Sequence, residues 1–137
     1  MRRTFGWLAL IALLAAVLAS CGKASQGPQE TARSFLEALG KRDFVTAYGM
    51  LSADSQASIA AEDFAANMQN AWNDAGIAGF KVEAVRPEIL SASGTRASVP
   101  YSVTLTKNSG ETAVVYNALS LVKQGKDTWG VIWPPTR

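Results

Sequence analysis

The chain has 137 residues, with 13 Lys and Arg against 11 Asp and Glu, no histidine and one cysteine, Cys21. Arg2 and Arg3 lie within the first 20 residues, so the remainder carries 11 basic against 11 acidic side chains and lacks the cationic field that draws nucleic acid. Without histidine there is no His-based triad, proton shuttle or His-ligated metal site, and one cysteine allows neither an intramolecular disulfide nor a thiolate cluster.

In chain order, residues 1–20 begin with Arg2 and Arg3, continue as an apolar run from Phe5 to Leu18 and end in the small residues Ala19 and Ser20. This is the layout of a secretory signal peptide, in which the arginines stay on the cytoplasmic side while the apolar run enters the membrane. Leu18-Ala19-Ser20-Cys21 resembles the bacterial lipobox, whose cysteine receives a diacylglyceryl thioether before cleavage. The resemblance implies that Cys21 is the lipidated first residue of a mature protein held outside the cytoplasm. Several acyl chains on one residue make a stable anchor, which a single chain does not. Gly22 after the cysteine would, in a Gram-negative cell, resemble an outer-membrane sorting signal. The competing reading is an uncleaved signal anchor, since Thr4 to Gly22 carries no charge and could just span a bilayer. Residues 21–28 are polar, contain Gly27 and Pro28, and read as a tether.

From residue 29 to residue 137 the sequence predicts one domain. Pro28 suits a first helical position and Glu30 a first turn. Ala32, Phe35, Leu36 and Leu39 recur at helical spacing until Gly40, Lys41 and Arg42 close the segment. A second short helix follows Asp43, with Phe44, Ala47, Tyr48 and Leu51 on one stripe. Residues 52–60 are small and polar and predict a loop with one helical turn. A third helix begins near Glu62 and Asp63, carries Phe64, Met68, Trp72 and Ala75, and stops at Gly76.

The period then changes. Residues 80–90 form a strand broken near Pro87, and Ala97, Val99, Tyr101, Val103 and Leu105 alternate with polar neighbours as a strand with one buried face. Pro100 cannot donate to a ladder and predicts an edge or a bulge. Asn108-Ser109-Gly110 turns the chain into a strand at residues 112–122, and Gln124 to Asp127 turns it into a last one ending at Trp133. Helices followed by hairpin-linked strands predict an α+β fold, helices on one face of an antiparallel sheet.

Several stretches carry a family resemblance: Ala32-Arg33-Ser34-Phe35-Leu36, Asp43-Phe44 with Tyr48 and Leu51-Ser52, and Phe64 in the third helix. The more specific ones are Val99-Pro100-Tyr101-Ser102-Val103 and Trp129-Gly130-Val131-Ile132-Trp133-Pro134. Together they resemble the NTF2-like amino-terminal domain of class B penicillin-binding proteins, the transpeptidases tied to β-lactam resistance. The resemblance implies an NTF2-like cone, three helices on a curved antiparallel sheet of about four strands. Ile132 departs from the family's usual Asp. Those proteins continue into a catalytic domain beyond the position of Arg137, so the expectation is a module that does not inherit transpeptidase activity. A fragment of a longer penicillin-binding protein is a further reading.

The candidate chemistry is thin. Ser120-Leu121-Val122-Lys123 has the Ser-x-x-Lys spacing of a transpeptidase nucleophile, but in a strand these two side chains point to opposite faces, and no Lys-Thr-Gly accompanies them. Ser20-Cys21-Gly22-Lys23 has the same spacing and is divided by lipobox processing. NTF2-like enzymes resemble this fold and raise a carboxylate pKa in the cavity between helices and sheet. Tyr48, Trp72, Tyr101 and Tyr116 are the candidate cavity lining here, with Glu83 or Glu88 within possible approach, although core tyrosines and solvated acids account for the same residues. Trp72, Trp129 and Trp133 could also stack on glycan sugars. The expectation is an envelope binding or scaffolding module linked to cell-wall synthesis or the β-lactam response. It has no catalytic residue, metal or cofactor, and its partners are the membrane through Cys21 and other envelope proteins. The rival is a small-ligand carrier or enzyme using the cavity.

Overall fold

The computed structural model describes residues 26–134. Four helices come first: α1 (Pro28–Gly40), α2 (Phe44–Gly49), α3 (Ala53–Ser58) and α4 (Ala61–Asp74). The strands are β1 (Ile77–Val85), β2 (Ile89–Leu90), β3 (Arg96–Lys107), β4 (Thr112–Gly125) and β5 (Thr128–Val131). They form one antiparallel sheet in the order β1-β3-β4-β5, with β2 beside β3 where β1 has ended. The helices lie on one face of this curled sheet, the α+β arrangement that the change of period predicts.

Local chemistry sets the helix ends. Pro28 occupies the first turn of α1. The Asp43 carboxylate caps α2, accepting from Thr46 N at 3.2 Å and Thr46 Oγ1 at 2.7 Å. These two bonds hold the Asp43 carboxyl below its usual pKa, the side-chain bond contributing most. Gly76, at φ +66°, ends α4 in the left-handed region and leads into β1.

The core lies between the helices and the odd-numbered side chains of β3 and β4. Phe35, Leu36, Leu51, Phe64, Val99, Leu121 and Val131 are each at most 2% exposed. The ring of Phe64 sits edge-on to Trp133 at 5.4 Å and tilted against Tyr48 at 5.8 Å. Trp72 stacks on Phe80 of β1 at 5.4 Å and meets Phe44 edge-on.

Two expectations need correction. The stretch expected to be a loop with one helical turn contains α3, so among the described residues there are four helices and not three. Periodicity misses α3 because it presents no apolar stripe: its buried residue is Ser55. The Ser55 hydroxyl accepts from Trp133 N at 2.9 Å and lies 2.8 Å from Ser52 Oγ, whose oxygen also caps the helix. Pro100, expected at an edge or a bulge, lies in the central strand β3, just past the register shift between Val82 and Ala84 of β1. Its carbonyl accepts from Arg86 N at 2.9 Å. Because the N and C=O of one strand residue point to the same side, its missing donor faces the β1–β2 break, where no ladder partner is required.

Candidate functional site

Where β2 meets the sheet, one transverse row of residues runs across β2, β3 and β4 to Ile132, the residue that follows β5. Ile89 pairs with Ser98, Ser98 with Ser120, and Ile132 N donates to the Ser120 carbonyl at 2.9 Å. Even numbers on β3 and β4 face away from the helices, so this row lies on the uncovered face. Ile89, Leu90, Ser91, Arg96, Ala97, Ser98, Ser120, Leu121 and Ile132 line a trough of about 310 Å³. The rim is held by the Ser91–Thr95 turn: Ser91 N donates to Arg96 O at 2.9 Å and Arg96 N to Ser91 Oγ at 3.1 Å. Ile89 and Leu90 are 65% and 52% exposed.

The trough offers apolar walls, three hydroxyls and one guanidinium. Arg96 makes no ion pair among the described residues, where the single pair is Lys81–Glu83 at 3.7 Å. A guanidinium stays protonated and cannot act as a base, and a serine without a base is a weak nucleophile. This arrangement can bind an amphipathic surface; it carries no acid–base machinery of its own.

The cavity candidates are dispersed. Tyr48 donates its hydroxyl to the carbonyls of Ile59 at 2.7 Å and Gln56 at 3.0 Å, fastening α2 to the segment after it. Trp72 is buried between Phe80, Phe44 and the Arg42 guanidinium, which lies 5.2 Å above its ring. Tyr101 is half-buried against the core, and desolvation raises its phenol pKa. Tyr116 is 76% exposed on the uncovered face of β4 and faces away from the helices, so its place in a helix–sheet cavity is corrected. None of these four is among the residues lining the trough. Glu83 is exposed, accepting from Thr104 Oγ1 at 3.0 Å on the outer face, and Glu88 is half-buried in the β1–β2 connection.

Ser120 and Lys123 separate as their strand spacing requires. Ser120 opens onto the trough, whereas Lys123 lines a second depression with Ser52, Asp54 and Gln124. Trp133 rests on Phe64 and Trp129 is half-buried, so Trp72, Trp129 and Trp133 expose no common stacking plane. Cys21, the leader and most of the tether lie outside the described residues. The trough was not legible in the sequence; its signal was Ile89-Leu90, an apolar pair between Glu88 and Ser91.

Three solved structures share the fold. A SEC-C motif-containing protein from Rhodopseudomonas palustris matches with a TM-score of 0.53 and 14% identity, covering 77% of this chain and 75% of its own. A protein from Xanthomonas campestris pv. campestris, provisionally described as a polyketide cyclase, gives 0.52 and 18%, with 76% and 87% covered. Aln2 from a Streptomyces species gives 0.50 and 15%, with 74% and 80% covered. At such identities the likeness is one of fold. No curated protein matches in sequence. The family model for the NTF2-like N-terminal transpeptidase domain matches residues 27–137, spanning the helices, the sheet and the closing Trp129–Pro134 motif. The chain belongs to the NTF2-like N-terminal transpeptidase domain family.

Proposed function

We propose that the protein is a non-catalytic NTF2-like module of the bacterial envelope, anchored by lipid on Cys21. In this reading it serves as a scaffold or binding domain for cell-wall synthesis or the response to β-lactams. The observation that carries the non-catalytic part is the filled interior. The space between helices and sheet, where an enzyme of this fold would desolvate a carboxylate, holds Phe35, Leu36, Phe64, Val99, Leu121 and Val131, each at most 1% exposed. Among the described residues every buried side-chain polar atom has a hydrogen-bond partner. Function then falls to surfaces, of which the trough at β2, about 310 Å³, is one. The anchoring part is supported by the Leu18-Ala19-Ser20-Cys21 motif at the end of an apolar leader.

The test is expression of the full chain in a bacterial host, followed by membrane fractionation and intact-mass measurement. The expected product lacks residues 1–20 and carries acyl mass on Cys21, and Cys21→Ala abolishes the modification. An unmodified chain in the soluble fraction would refute the anchor.

A further inference from the structure

The two long edges of the sheet are finished differently. Along β1, Gln29 Nε2 donates to Val85 O at 2.9 Å and Arg42 Nη2 to Ile77 O at 3.1 Å, so side chains from α1 and the turn after it cap that edge. β1 also carries Lys81 and Glu83, paired at 3.7 Å, the kind of charge that keeps an edge from recruiting another strand. On the other side, β5 covers β4 from Leu121 to Gly125, and Ile132 N donates to Ser120 O at 2.9 Å. Two residues on, where the next donor to β4 would stand, is Pro134, which has no N–H. Among the described residues, stretch 112–118 of β4 is bare on this side.

The register with β3 is unbroken from Arg96 opposite Val122 to Thr106 opposite Thr112, so backbone parity holds along β4. Lys123 N donates to Thr95 O, toward β3, whereas the Ser120 carbonyl faces the open side and meets Ile132 N. The N–H and C=O groups of Thr112, Val114, Tyr116 and Ala118 therefore point outward from the sheet edge. Ala118 N donates to a local substitute, Asn117 Oδ1, at 2.8 Å, and the backbones of Val114 and Tyr116 have no partner on that side among the described residues. No charged residue lies between Thr112 and Ser120 to repel an incoming strand. Val114 and Tyr116 are instead 53% and 76% exposed.

We infer that this edge pairs with the same edge of a second copy of the chain, joining two sheets into one. The bare stretch, about 23 Å long at 3.3 Å per residue, has a boundary at each end. One is the turn closed by Lys107 N donating to Glu111 O at 2.8 Å; the other is Ile132 on Ser120. An antiparallel copy with its twofold at Val115 lays bare stretch on bare stretch, each turn leaving where the other copy's Ile132 begins. In that register Val114 faces the second copy's Tyr116, Tyr116 faces its Val114, and Thr112 and Ala118 face each other. Each such pair exchanges two backbone hydrogen bonds, and an aromatic ring against a β-branched side chain is a favourable cross-strand pair. Any extended peptide could take the hydrogen bonds. A second copy is singled out because it covers both exposed side chains at once and ends where this strand ends. The twofold contact closes on itself, so assembly stops at two chains. The pairing stands whether or not Cys21 carries lipid.

The experiment is site-specific photo-crosslinking of the full chain in a bacterial host. A photoreactive phenylalanine derivative is placed at position 116 and, as reference, at position 45, where Val45 is 80% exposed on α2. The expected result is an adduct of twice the chain mass from position 116 alone, built of peptides from this chain only. Because Val115 meets its own counterpart on the twofold, Val115→Lys and Val115→Glu expressed singly should each lose the adduct, and their coexpression should restore it. A variant that merely failed to fold would not be rescued by its opposite. Absence of the adduct, or equal adducts from both positions, overturns the pairing. So does an adduct that persists in Val115→Lys, or one that coexpression does not restore. An adduct to a different protein overturns the second copy as the occupant, and a ladder of larger adducts overturns the closed twofold.

Discussion

Gly130→Ala is a methyl-sized change that the tertiary structure makes expensive. Gly130 pairs with Val122 on one side of β5. On the other side the chain at Met50–Ser52 adds a short parallel bridge: Val131 N donates to Met50 O at 2.9 Å, and Ser52 N to Val131 O at 2.8 Å. A Cβ at Gly130 would stand 2.6 Å from Ser52 Cα and 2.7 Å from Gln124 Nε2. The Gln124 side chain could swing aside, but its Oε1 accepts from Ala53 N at 2.6 Å, at the start of α3. Ser52 Cα is backbone, and moving it by about 1 Å strains the bridge to Val131 and the Ser52–Ser55 cap together. Overpacking of this kind costs about 1–3 kcal/mol, and the lost Ala53 hydrogen bond adds about 1 kcal/mol. The sum of about 2–4 kcal/mol is a large share of the 5–15 kcal/mol typical of a domain, and at about 4 °C per kcal/mol it lowers the melting temperature by about 8–16 °C. The assay is thermal unfolding followed by circular dichroism on residues 24–137, with two controls carrying the same substitution. At Gly125 the new Cβ meets Thr128 Oγ1 at an ordinary 3.5 Å, and at Gly49, the last residue of α2, it meets nothing within 4 Å. Gly125→Ala should be mild, and Gly49→Ala neutral or stabilising by up to about 1 kcal/mol. A Gly130→Ala protein that melts within about 2 °C of the parent would refute the close-approach reasoning.

Trp133→Ala should cost about 2–3 kcal/mol, below the range for a fully buried Trp because part of the ring remains in water, whereas Ile132→Asp on the trough wall should cost about 1 kcal/mol. The reverse order in two melting curves would mean that the outer face, not the helix-facing one, is the more tightly packed at this point. The phenol of Tyr101 has a folded pKa raised above its ordinary 10.0, so the stability it supports is fully present below about pH 10 and is lost as pH rises through the folded value. Tyr101→Phe should flatten the alkaline limb of stability against pH, with Tyr116→Phe as an exposed control; equal curves for Tyr101→Phe and the parent would refute this. Fluorescent penicillin should leave no covalent label on the protein after denaturing electrophoresis, and a band that disappears with Ser120→Ala would overturn the non-catalytic reading.

The helices α1, α2 and α4 and the long strands β3 and β4 were legible because their determinants are local. Pro28, Asp43 and Gly76 act within one turn of themselves, and the alternation from Ala97 to Leu105 needs only a pleat to be expressed. The NTF2-like resemblance, carried by two short motifs near Pro100 and Trp129, was legible for the same reason. Tertiary structure decided the rest. Ser55 looked like loop chemistry because its partner, Trp133 N, lies 78 residues away, and only the assembled sheet turns a serine into a core residue. Tyr116 looked like cavity lining because alternation states that two faces differ without stating which one the helices will cover. Pro100 looked like an edge or a bulge because nothing local reveals that β1 and β2 part opposite its missing N–H. The trough joins Ile89, Ser98 and Ser120 on three strands to Ile132, just past β5. Such a row is a product of register, and register is fixed by side-chain burial across the whole sheet rather than within any one segment.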